Sequence, residues 1–144
     1  MSYTREMLDA APSQGNLDPA ELAAAIDACA DAAQACTSCA DACLAEEDVA
    51  ALRTCIRLDA DCADICAVTA RVLSRQTRDD QFLVHRLLQA CVRACSSCAE
   101  ECERHAEHHA HCAICARACR ACEQACQRIL DADAFDELQA LAGG

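Results

Sequence analysis

Cys112-Ala113-Ile114-Cys115-Ala116-Arg117-Ala118-Cys119-Arg120-Ala121-Cys122-Glu123-Gln124-Ala125-Cys126 is the stretch that decides the fold. Its cysteines are separated by three, four, three and four residues. On an α-helix, residues three and four apart lie one above another. The five thiols therefore form one stripe, at the a and d positions where a bundle helix normally carries Leu or Ile. The spacing recurs in Cys29, Cys36, Cys39 and Cys43, in Cys55, Cys62 and Cys66, and in Cys91, Cys95, Cys98 and Cys102. With one heptad phase per segment, all sixteen cysteines fall on a or d, which make up only about two in seven positions. Four helices packed along these seams turn every thiol toward one interior. The expected fold is all-α, an antiparallel up-down-up-down four-helix bundle.

Local signals place the elements. Residues 2–11 read as a short helix outside the bundle, with Tyr3, Met7 and Leu8 on one side, and the Pro, Ser and Gly of 12–16 break the chain. Asp18, followed by Pro19 and Glu21, is a good helix cap, and Leu17 and Leu22 stand at staple spacing. The first bundle helix is expected to run to about Glu46. Asp48 is expected to cap the second, from about Val49 to Arg75. Thr77 with Asp80 resembles a capping box that opens the third, to about Arg104. The fourth follows a histidine-rich stretch and ends near Leu130, and Asp133 is positioned to cap a short final helix. Short connections make neighbours antiparallel. The chain thus divides into an N-terminal extension (1–17), the Cys-lined bundle (18–131) and a C-terminal helix or tail (132–144).

The 144 residues suffice for one domain with a core. That core is poor in aromatics, with two Phe, one Tyr and no Trp. Residues 1–11 carry no basic stretch followed by an apolar run and no twin arginine, so no export signal is expected. No run approaches a membrane span. The expected compartment is the reducing cytoplasm, where structural disulfides are rare. Helical geometry also opposes disulfides: an i,i+4 pair sets its Cβ atoms ~5–6 Å apart, against ~3.5–4.5 Å in a disulfide. The net charge of −12, with twelve Arg and no Lys, disfavours nucleic acid and anionic membranes as partners.

Laid along an up-down bundle, the seams give an axial profile. Cys43, Cys55, Cys102 and Cys112 lie near the end that carries the one-to-two and three-to-four connections. The opposite end is plugged by Leu22, Leu73, Val84, Leu88 and Ile129. His105, His108, His109 and His111 crowd the thiol end, His105 continuing the third seam and His108 the fourth. They are candidate entry ligands for a metal. His85, off the seam, reads as structural. Asp59 falls on the second seam between Cys55 and Cys62, where an unpaired carboxylate is costly. It is expected to be a minor ligand or a hydrogen-bond partner unless that helix is locally rotated.

A free Cys can serve as a small hydrophobe, but Ala or Val packs as well without the redox liability. Pairs of the form C-x-x-x-C (Cys39/Cys43, Cys62/Cys66, Cys91/Cys95, Cys98/Cys102, Cys115/Cys119, Cys122/Cys126) are linked by C-x-x-C pairs into ladders. Such dense soft donors select Cu(I), then Zn(II) or iron–sulfur clusters. Four-coordinate Zn(II) would leave its thiolate sites strongly anionic in the interior. The ferredoxin cysteine run is absent. Low-coordinate Cu(I), with shared thiolates, suits continuous helices best.

These ladders, together with Cys102, His105, His108, His109, His111 and Cys112 at one end, resemble the bacterial copper storage proteins, and the lack of an export signal resembles their cytosolic branch. The resemblance implies a homotetramer of bundles holding many Cu(I) ions per subunit. It carries over the sixteen Cys as ligands and the four histidines as entry ligands. Copper ions are then the cargo, a copper-delivering chaperone is a candidate partner, and no catalysis is expected, since no seam position pairs an open coordination site with a base. The competing readings are a zinc- or cadmium-buffering thiolate protein and a thiol redox protein, which needs an exposed low-pKa cysteine. A copper-sensing DNA-binding repressor is opposed by the charge.

Overall fold

The computed structural model describes residues 2–78, 80–132 and 143, and the expected C-terminal helix capped by Asp133 lies outside them. Helix α1 spans Thr4–Ala10, α2 Pro19–Leu44, α3 Arg53–Ser74, α4 Gln81–His105 and α5 Ala110–Ala132; a 3₁₀ turn at Val49–Leu52 leads into α3. Helices α2 to α5 pack in ring order, each on two neighbours, with α1 laid against α2. This is the all-α up-down-up-down bundle. No strand occurs among the described residues.

The helix starts follow from carboxylates that find orphan backbone N–H groups. Asp18 accepts the Glu21 N–H at 3.3 Å, with Pro19 at the first position. At α4 the expected capping box on Thr77 gives way to Asp80 itself, whose Oδ1 accepts the Phe82 and Leu83 N–H groups at 3.1 Å each. One carboxylate satisfying two donors fixes the start at Gln81, later than Thr77. Asp80→Ala is therefore expected to cost about 1 kcal/mol of apo stability, and Thr77→Ala much less, by chemical denaturation. Asp48 departs from expectation too. Its side chain caps nothing; it faces His109, and the 3₁₀ turn precedes α3 instead.

Leu22, Leu73, Leu88 and Ile129 are buried at the closed end, with Val84 packed against them. Of the apolar side chains of α1 only Leu8 is buried, while Tyr3 and Met7 are exposed. Ser2 Oγ and Thr4 Oγ1 donate to the Asp27 carboxylate at 2.8 and 2.5 Å and pin α1 to α2. No described helix is long and apolar enough to cross a membrane.

Candidate metal centre: a thiol-lined interior and its mouth

Periodicity of 3.6 on four packed helices leaves room on each seam for one side chain per level. Here the occupant is nearly always Cys. All sixteen are free thiols, and none is more than 1% exposed. At the deepest level the metal-binding atoms of Cys29, Cys91, Cys122 and Cys126 lie within 4.8 Å of one another, and Cys66, Cys91, Cys95 and Cys122 do the same one step out. Cys36, Cys98, Cys115 and Cys119 follow, and Cys39 and Cys43 with Cys112 stand at the mouth. Cys62 bridges levels, 3.7 Å from Cys66, 3.8 Å from Cys95 and 4.0 Å from Cys119.

Cys91 and Cys122 belong to both of the deepest groups, and Cys115 and Cys39 each join two levels nearer the mouth. The sites are therefore linked by shared sulfurs. Sulfur–sulfur distances run from 3.4 Å for Cys36–Cys119 to 4.0 Å for Cys126–Cys91. These are well beyond the ~2.05 Å of a disulfide, and a metal ion fits between such pairs. Burial pushes the Cys43 thiol up, and burial with the neighbouring Cys55 pushes Cys112 up to about 12. These shifts favour the neutral thiol at Cys43 and Cys112.

Asp59 is the one carboxylate in the shaft among the described residues, and it is fully buried. Its Oδ1 accepts from Cys98 at 3.0 Å, Cys115 at 3.3 Å and Cys102 at 3.5 Å, and its Oδ2 from Cys55 at 3.7 Å. Burial pushes its carboxyl up to about 8. Helix α3 is not rotated to expel it. Asp59 is a hydrogen-bond partner of thiols, and with Cys39, Cys102 and Cys115 it forms a group of atoms within 4.8 Å.

The histidines separate at the mouth. His111 Nδ1 lies 3.3 Å from Cys39 Sγ and 3.6 Å from Cys112 Sγ. His109 instead faces carboxylates, with Nδ1 3.2 Å from Glu46 and Nε2 3.1 Å from Asp48. His105 Nε2 pairs with the buried Glu101 at 3.1 Å, which Arg104 also holds at 3.0 Å. His108 is exposed. The seam extensions drawn through His105 and His108 thus do not place them on sulfur in these contacts, and off-seam His111 comes closest. Sequence reasoning missed Glu46, Asp48 and Glu101. Their signal was position: acids beside the histidine-bearing end of the bundle. His85 is buried, away from the thiols, on a small cavity with Gln89, Val92, Gln127, Leu130 and Asp131.

A four-helix bundle whose interior is a continuous ladder of buried thiols, with imidazole at one end, is a container for soft metal ions. The model of the copper storage protein family matches residues 18–131, and the chain belongs to that family. The chain is similar to the copper storage protein Ccsp of Streptomyces lividans loaded with 10 copper equivalents, at 50% identity over 89% of this chain and 98% of that one, with a TM-score of 0.87. A structure of copper loading to the cytosolic protein of that organism, with five coppers, is 54% identical over 79% and 95%, with a TM-score of 0.78. The Cu(I)-bound copper storage protein BsCsp3 is 36% identical over 74% and 95%, with a TM-score of 0.66. No curated protein matches the chain. Copper storage is the function of this fold and interior.

Proposed function

We propose that the sixteen cysteines are the Cu(I) ligands of a cytosolic, non-catalytic store, with His111 as the imidazole ligand at the mouth and the bundle of residues 18–131 as the storage unit. The observation that carries this reading is the run of buried sulfurs, 3.4–4.0 Å apart through the deep and middle levels and continued to the mouth by donor groups whose atoms lie within 4.8 Å of one another. Copper enters past His111, displaces thiol protons and passes from level to level through the shared sulfurs. His105 and His108 serve the approach to the mouth, and His109 stands among its carboxylates. Asp59 accepts thiol hydrogen bonds within the shaft. The family resemblance supports a homotetramer, and a copper-delivering chaperone is a candidate partner. The buried thiols lack the exposed nucleophile that a thiol redox enzyme needs.

Titrating reduced apo protein with Cu(I) against a chromophoric chelator tests the assignment. On the order of one Cu(I) per Cys is expected, with protons released on binding and affinity falling as pH falls, because bound sulfur must be thiolate. Saturation at one or two ions, or no proton release at neutral pH, contradicts it. The shared sulfurs make a further expectation. Cys91→Ala with Cys122→Ala removes two sulfurs shared by both deep groups and should lower capacity more than Cys43→Ala with Cys112→Ala at the mouth.

A further inference from the structure

His109 and His111 stack at the mouth, with ring centroids 5.4 Å apart, yet their nitrogens meet different partners. His111 Nε2 lies 3.3 Å from Glu46 Oε1, while its Nδ1 faces the sulfurs of Cys39 and Cys112. A carboxylate only accepts, so the ring nitrogen that meets it carries the proton, and a neutral imidazole then has its lone pair on the other nitrogen. We propose that Glu46 is a positioning residue for copper uptake, accepting the His111 Nε2–H and so fixing the tautomer and ring angle that aim the Nδ1 lone pair at the mouth thiols. This rests on the reading of His111 as the mouth ligand.

Glu46 is itself braced. Its Oε2 lies 3.2 Å from His109 Nδ1, and His109 Nε2 reaches Asp48 at 3.1 Å. Carboxylates thus face both nitrogens of His109, and its place is beside Glu46 rather than against the thiols. The geometry depends on two separate connections. Glu46 and Asp48 lie between α2 and α3, and His109 and His111 at the turn into α5. The Glu46 bridge spans the mouth and joins them. A second imidazole–carboxylate pair, His105 with Glu101, lies within α4 alone and lacks this role. Carboxylates that accept the second N–H of a ligating histidine set its tautomer and raise its basicity, and their loss costs about 10–100-fold in metal affinity or activity.

The test compares Glu46→Ala, Glu46→Gln and His111→Ala in the reduced full-length apo protein. Imidazole nitrogens are read by ¹⁵N NMR, and uptake of the first Cu(I) equivalents by stopped flow from a weak Cu(I) complex. Wild type should show one His111 tautomer, protonated at Nε2. E46A should lose that preference and take up Cu(I) about tenfold more slowly, with total capacity unchanged. E46Q should stay near wild type, because its amide oxygen still accepts. An unchanged tautomer and rate in E46A overturns the inference. So do equal losses in E46A and E46Q, which would assign the effect to charge. Slow uptake in H111A with normal E46A rejects only the Glu46 role, whereas normal uptake in H111A rejects the mouth-ligand reading and this inference with it.

Discussion

Asp59→Asn should remove most of the pH dependence of apo stability between about pH 4 and pH 8. In the folded chain Asp59 is pushed up to about 8 by burial, against 3.8 for an ordinary Asp. Between those values the folded state holds a proton that the unfolded state has lost, so stability falls as pH rises. The contribution is complete below about pH 4 and lost as pH passes through about 8. A tenfold difference in proton affinity between the two states is worth about 1.4 kcal/mol, so the wild-type apo bundle should be weaker at pH 8 than at pH 5 by a few kcal/mol. The Asn amide keeps the shape, accepts thiol S–H groups through its oxygen and carries no charge. Cys112, raised to about 12, acts in the same direction but only above the ordinary thiol value of 9.0. Denaturant titrations of reduced apo protein at the two pH values decide the matter. Parallel behaviour of D59N and wild type would remove Asp59 as the cause.

Leu73→Ala should cost about 2–5 kcal/mol, the range for a fully buried Leu that leaves a cavity. Leu73 is 0% exposed at the closed end, with Leu22, Leu88 and Ile129 buried in the same core. These side chains replace the thiols where the seams change character. Leu83→Ala, at a residue 56% exposed, should change stability by no more than about 0.5 kcal/mol. The loaded L73A protein should also give up copper to a chelator faster, because the void lies beyond the deep thiols. A stability loss below about 1 kcal/mol, or unchanged release, would mean that the closed end is sealed by something other than this cluster.

The stripe spacing was enough to read the bundle, the position of every thiol, the aliphatic plug and Asp59 on the seam, because heptad phase within one helix is a rigid geometric rule. It failed where the chain leaves the helix. Heptad phase does not carry across the turn between His105 and Ala110, so His108 could not be placed by extending α5 backward, while His105, the last residue of α4, turns to Glu101 instead of the thiols. His111 sits one residue off the seam and reaches Cys39 through its side chain, held by Glu46 from another connection. Such a contact has no signature in local spacing. The caps failed for a related reason: Asp48 has the right type and position for a cap, but His109 takes its carboxylate.

A seam of cysteines leaves the empty bundle short of the hydrocarbon that Leu and Ile supply to an ordinary core. The metal ions occupy the space and supply the bonds that those side chains would have provided. Ligands that bind only the folded chain stabilise it by mass action, so each ion taken up makes the next unfolding event rarer. Full and empty molecules therefore differ in durability as well as in content, and heat or protease should sort a mixed population by its filling.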